Sequence, residues 1–249
     1  MHIINTLKEV KILFTLLLSQ PHSGKDYTKD LRLVFDMVNI EMEKLQGNKD
    51  MYQRSRQILE DKDPEIFNLF KEYQDGRHEL LDNSQLTLEK LSNMPSGSLG
   101  KFYAEFLIKN NMSPSPIMAN SVEDTDFLDF YRTRTLIFHD FIHVLCGLEV
   151  DMFGEFGTNG VYVSQVFNPA TYILMGTYII KCFRKTNEKA IETIVAGFVA
   201  GYNCGKAAKP FGSFVWEDYL THPIEEVREV LNVKKIDYNP SKYLNFQNI

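Results

Sequence analysis

Apolar positions along this chain recur mostly at helical spacing. Between Asp30 and Leu45, residues Leu31, Val34, Phe35, Val38 and Met42 fall on one stripe, the pattern of a helix with one buried side. Asp63-Pro64-Glu65 opens a second helix with a capping acid, a first-turn proline and a first-turn carboxylate. Thr87 to Leu91 leads into the turn Met94-Pro-Ser-Gly-Ser98, and helical spacing resumes from Leu99 to Asn110. Ser113-Pro-Ser-Pro116 then breaks the chain. Alternation of the strand type is confined to Gly160-Val-Tyr-Val163, too short to found a sheet. The pattern predicts an all-α protein, a single compact multi-helix domain over residues 1–249 with no internal repeat.

The most informative helix is predicted for residues 121–147. Ser121-Val-Glu-Asp124 forms a capping box and Gly147 a natural stop. Between them Phe127, Leu128, Phe130, Tyr131, Leu136, Ile137, Phe138, Phe141, Ile142, Val144 and Leu145 leave little polar surface. A helix apolar nearly all round is a buried one. Its polar residues Arg132, Arg134, His139, Asp140 and His143 must therefore find partners or a path to water.

Composition narrows the partners. A formal net charge of −6 argues against nucleic-acid binding, which ordinarily shows a basic surplus. Cys146, Cys182 and Cys204 are odd in number and widely spaced, which suits a reducing compartment rather than a disulfide framework. Lys8 and Lys11 precede the apolar run Ile12 to Leu18. Glu9 and the lack of a cleavage site after it favour an ordinary helix over a secretion signal. Asn168-Pro169 and Lys181 bracket the best candidate for a membrane span and make it too short. The expected location is cytoplasmic, with any membrane contact peripheral.

Positions 139–143 read His-Asp-Phe-Ile-His. On a helix His139 and His143 differ by about 40° in direction and roughly 6 Å along the axis, so both imidazoles can reach one ion. Asp140, about 60° to the other side of His143, is either a third ligand or an acceptor that fixes an imidazole tautomer. After the Gly147 stop, Asp151-Met-Phe-Gly154-Glu155 brings back another carboxylate through a glycine-flexed turn. The candidate metal ligands are His139, Asp140, His143 and Glu155, and the divalent ions they suit are Zn, Mn or Fe(II), with Mg admissible when waters and phosphate complete the shell. Competing readings are two core histidines paired with local carboxylates, and a His-Asp phosphohydrolase drawing on His78 and Asp218. A zincin protease would need a glutamate where Asp140 stands. Cys146 is either a soft ligand or a buried thiol.

The spaced string His139-Asp140, His143 and Glu155 resembles the metal-site signature of the coenzyme Q biosynthesis protein 4 family. Met94-Pro-Ser-Gly-Ser-Leu-Gly100 and Tyr103-Ala-Glu-Phe-Leu107 are similar to the family's turn and helix before the metal helix. Ser113-Pro114 resembles its Ser-Pro step. Trp216-Glu217, Pro223-Ile-Glu-Glu-Val-Arg228 and Leu231-Asn-Val233 resemble its closing helix. The chain departs from it at Ser115-Pro116, where an acid and a base are usual, and at Asn159, where many members carry a basic residue. The resemblance, to a bacterial-type member, implies an all-helical homodimer, peripheral membrane attachment and binding of long isoprenoid lipids. It also implies a part in assembling quinone-biosynthesis enzymes and in oxidative removal of the head-group carboxyl.

Lipid-binding candidates follow. Gly197, Gly201 and Gly205 repeat every four residues and bare one helix face, either for close packing or as a wall for an isoprenoid tail. Ala170 to Ile180, including Met175, is either ordinary core or a lining of the same channel. Arg132 lies about 20° from His139 and roughly 10 Å along the axis. It pairs there with a lipid phosphate, or else with Glu123, Asp126 or Asp129. Arg134 points away by about 140° and is structural. The function expected is a metal-containing, prenyl-lipid-binding protein of ubiquinone-type biosynthesis, with a prenylated quinone precursor as ligand. The alternatives are a non-catalytic lipid scaffold and a metal-dependent prenyl-phosphate hydrolase.

Overall fold

The computed structural model describes residues 49–77, 86–114, 138–165 and 169–238, with the isolated positions Lys11, Thr15, Phe127, Phe130, Tyr131 and Arg134. Their order is α1 (Lys49–Lys62), α2 (Glu65–Gln74), α3 (Leu88–Ser92), α4 (Leu99–Lys109), α5 (His139–Cys146), α6 (Met152–Gln165), α7 (Pro169–Arg184), α8 (Glu188–Ala207), α9 (Trp216–Tyr219) and α10 (Ile224–Leu231). No strand occurs among the described residues, where Ser98 and Pro223 form an isolated antiparallel bridge. The all-α expectation holds, and the strand-like Gly160–Val163 lies inside α6. The predicted helix at 30–45, the capping box at 121–124, His78 and Arg132 fall outside the described residues.

Short polar side chains start several of these helices. Thr87 Oγ1 accepts from the Lys90 amide at 3.3 Å, Ser98 Oγ from Lys101 at 3.2 Å and Asn187 Oδ1 from Ala190 at 3.0 Å. Each satisfies an amide that the first helical turn leaves without a partner, worth about 1 kcal/mol. Asp63 departs from its expected role as a cap. Pro64 stands at the start of α2 with no side-chain cap, and the Asp63 carboxylate instead accepts from the Ser213 amide at 2.8 Å. A distant backbone donor has won over the local one.

Trp216 lies at the heart of the core, wholly buried. It stacks on Phe141 at 5.2 Å and on Phe138 at 6.1 Å, and its indole donates to the Phe211 carbonyl at 3.1 Å. Arg134 is buried beside it and is structural, as its direction suggests. Its guanidinium reaches Glu217 at 2.5 Å and the carbonyls of Phe214 and Gly212, so the buried charge is paired and its donors are used.

The glycines of α8 correct one expectation. A Cβ on Gly201 would stand 1.7 Å from the Gly157 carbonyl oxygen of α6, and one on Gly197 would stand 2.3 Å from that of Phe153. A Cβ on Gly160 of α6 would stand just as close to the Phe198 carbonyl oxygen, at 2.1 Å. The two backbones touch, as small residues permit. The bare face of α8 is therefore filled by α6 and is not a wall open to a lipid tail.

Candidate metal centre

Two devices set α5, the helix of His139 and His143, in place. Gly147 ends α5 in the left-handed conformation (φ +70°), and the Leu148 amide turns back to the His143 carbonyl at 2.9 Å. Arg228 of α10 then donates to the Leu145 and Val144 carbonyls at 2.8 and 3.2 Å, supplying partners and positive charge where the helix dipole is negative. The chain returns through Asp151, whose Oδ1 accepts from the Gly154 amide at 2.8 Å and caps α6. Gly154 thus belongs to the first turn of α6 rather than flexing the loop before it. A Cβ there would stand 1.9 Å from the Glu149 carbonyl oxygen.

α6 carries two working faces. Phe153, Gly157 and Gly160 turn toward α8, whereas Glu155 lies about 200° round the axis from Gly157 and faces α5. His139, His143 and Glu155 come together there, with ligand atoms all within 4.8 Å of one another, a group able to hold a metal ion. His143 Nε2 is 3.7 Å from Glu155 Oε1, and both side chains are almost fully buried. The imidazole donates from Nδ1 to the Leu148 carbonyl at 3.3 Å, which leaves the Nε2 lone pair pointing into the site. That nitrogen has no hydrogen-bond partner. Phe106 stacks on the His143 ring at 5.5 Å and Tyr162 on the His139 ring at 5.8 Å, so aromatic faces enclose both imidazoles.

Asp140 stands beside this group rather than within it. Its Oδ1 accepts from His139 Nδ1 at 3.1 Å, and its Oδ2 accepts from the Tyr103 hydroxyl at 3.1 Å. Burial works against ionisation of Asp140, but the bond to His139, the nearby imidazoles and the Tyr103 hydroxyl hold its pKa below the usual carboxylate value. Burial likewise opposes charging of His139, yet the Asp140 bond and the charges of Asp140 and Glu155 prevail and raise its pKa. His143, buried and next to His139, is pushed down to about 3 and stays neutral. Tyr103 was not singled out by residue type or spacing. Its place in the family-like segment before α5 is the only sequence signal for it.

The remaining candidates lie elsewhere. The Cys146 thiol faces Cys204 Sγ at 3.6 Å and not the site, so it is the buried-thiol reading that fits. Met175 is half-buried on α7, and Gly197 and Gly201 lie behind α6 against its glycine face. Asp218 sits in α9 and is not part of the His/Glu group. No helix among the described residues is long and apolar enough to cross a membrane.

The chain is similar to known proteins along most of its length. Residues 42–237 match the family described as coenzyme Q (ubiquinone) biosynthesis protein Coq4. A mitochondrial ubiquinone biosynthesis protein COQ4 homolog of Aedes aegypti is 26% identical over 73% of this chain and 60% of its own length. The mitochondrial ubiquinone biosynthesis protein COQ4 of Yarrowia lipolytica is 28% identical over 74% of this chain and 67% of its own length. The chain thus spans about half to two thirds of the length of the curated relatives it matches. A Nostoc punctiforme crystal structure, of a protein named for ubiquinone biosynthesis, superposes with a TM-score of 0.67 at 21% identity. It covers 93% of this chain and 97% of that one, and so shows the same fold. With a family match across most of its length, the chain belongs to the Coq4 family of coenzyme Q (ubiquinone) biosynthesis proteins.

Proposed function

We propose that this chain holds a divalent metal ion on His139, His143 and Glu155 and seats the polar head of a prenylated quinone precursor against it. The observation that carries this reading is the buried Nε2 of His143, unpartnered and aimed at Glu155. Leaving such a nitrogen unpaired costs about 1–3 kcal/mol, and a cation between it and the carboxylate removes that cost. Two imidazoles and a carboxylate suit Zn, Mn or Fe(II), and Mg is admissible if waters complete its shell.

When bound, the ion supplies a positive centre that orients and polarises a head-group oxygen. The chain's own residues prepare that place. Asp140 accepts the Nδ1 proton of His139 and so turns Nε2 of that ring toward the site, while Tyr103 keeps Asp140 in position. Phe106 and Tyr162 cover the imidazoles and limit the water that reaches them. For the tail, α7 exposes Tyr172, Ile180 and Phe183 near the half-buried Met175, and α8 exposes Val195 and Val199. These apolar side chains support a lipid-facing side, and with it peripheral attachment to a membrane or pairing of two copies of the chain.

The reaction proposed is oxidative removal of the head group's carboxyl. Native mass spectrometry of the purified protein should find co-purified isoprenoid lipid. A carboxylated, geranylgeranylated phenol should be converted when the right ion and an oxidant are present, and His139→Ala should abolish conversion. Lipid binding without turnover under every ion tested would make the chain a carrier instead. A protein that shows neither bound lipid nor turnover would contradict the reading.

A further inference from the structure

Asn159 is one turn beyond Glu155 on α6 and is buried, with 9% of its surface exposed. Glu155, Asn159 and Tyr162 share one face of the helix within about 60°. Both of Asn159's neighbours on that face meet α5, Glu155 at His143 and Tyr162 at His139. The Nδ2 of Asn159 is shut off from solvent and has no hydrogen-bond partner. Thr158 beside it turns its hydroxyl back to the Gly154 carbonyl, so the asparagine amide is the donor left over on this part of the helix. An unmet amide donor in a packed interior is a cost of about 1–3 kcal/mol, which a ligand oxygen would relieve.

We propose that Asn159 is a specificity-determining residue that donates a hydrogen bond to the carboxylate of the head group. This rests on the reading of His139, His143 and Glu155 as a metal centre. A divalent ion held by two neutral imidazoles and one carboxylate is positive at its ligand shell, the Asp140 carboxylate offsets that charge only from behind His139, and an open position on the ion takes an anionic oxygen. A carboxylate is wide enough to place one oxygen on that centre and offer the other to a donor one helical turn away. Asn159 selects for the acid without adding a charge of its own.

The test uses the metal-loaded full-length chain and two probes, a geranylgeranylated hydroxybenzoate and the same phenol lacking the carboxyl. The wild type should bind the acid more tightly. Asn159→Ala should weaken the acid about tenfold or more, as expected for a hydrogen bond to a charged group, and leave the phenol unchanged. Metal content should stay at the wild-type level, and the melting temperature should not fall, because the variant removes an unmet donor. Asn159→Asp, of the same shape, should weaken the acid further through like-charge repulsion. Wild-type discrimination in both variants would overturn the proposal while leaving the metal centre intact. If Asn159→Ala unfolds, retained acid preference in Asn159→Asp overturns it. A wild type without bound metal or acid preference would overturn the metal-centre reading and this inference with it.

Discussion

His143 Nε2 and Glu155 Oε1 stand 3.7 Å apart in a place that excludes water, one on α5 and the other on α6. That gap is too long for a good hydrogen bond and suits an atom between the two. The rest of the site follows from fixing these two groups. Leu148 accepts the Nδ1 proton of His143, Gly147 and Arg228 finish α5, and Asp151 starts α6 with Glu155 in its first turn. The proposed centre thus depends as much on how two helices end and begin as on the ligands.

Tyr103 should prove part of the site although it does not touch the His/Glu group. Tyr103→Phe removes the hydroxyl that Asp140 Oδ2 accepts, but keeps the ring against Phe141 at 4.8 Å. Metal affinity should fall several-fold, less than the roughly tenfold or more that follows loss of a direct partner of a ligand, because Tyr103 acts on His139 only through Asp140. The melting temperature should change little. Competition against a chromogenic chelator measures the affinity, and equal affinities for variant and wild type would remove Tyr103 from the account.

Gly201→Ala should destabilise the fold by about 2–3 kcal/mol, because the new methyl meets the Gly157 carbonyl and must part α6 from α8. Since α6 carries Glu155 on its opposite face, metal binding should weaken in the same variant. Gly176→Ala is the control. A Cβ there meets nothing within 4 Å, and alanine should add about 0.5–1 kcal/mol in a helix. Urea denaturation of both variants decides the matter, and equal effects at the two positions would count against backbone contact.

Metal binding should release one imidazole proton at pH values below the raised His139 pKa and strengthen as pH rises. The ion needs neutral imidazoles. His143 is already neutral above about 3, whereas His139 has a raised pKa and carries the proton that must leave. The slope of log affinity against pH should be about one below the His139 pKa and flatten above it. Stability of the metal-free protein moves the other way for this group. The contribution from charged His139 is present below its usual pKa and is lost as pH rises through its raised one. Calorimetry in buffers of different ionisation heat counts the proton. Release of two imidazole protons would show that His143 is not held neutral.

Much of this was legible in local sequence. Helical spacing, Thr87, Ser98 and Gly147 act within a turn of where they stand, so the helices and several of their ends could be read directly. The four-residue step from His139 to His143 fixes two imidazoles on one side for the same reason. What could not be read depends on partners far along the chain. Asp140 reads locally as a ligand or as an acceptor for an imidazole, and its bond from Tyr103, 37 residues away, has no local signal. Asp63 looks like a helix cap in isolation, but the Ser213 amide, 150 residues on, claims it. The repeating glycines of α8 announce a close approach without saying whether a helix or a lipid makes it.

Elemental analysis of the metal content per chain, after reconstitution and desalting, tests the central claim most directly. The wild type should retain about one Zn, Mn or Fe per chain. His143→Ala should retain essentially none, and Glu155→Gln markedly less than the wild type, because each loses a buried ligand. His222→Ala, which alters an exposed histidine paired with Glu226, should match the wild type. Wild-type metal content in both His143→Ala and Glu155→Gln would contradict the account, as would a wild type that retains no metal.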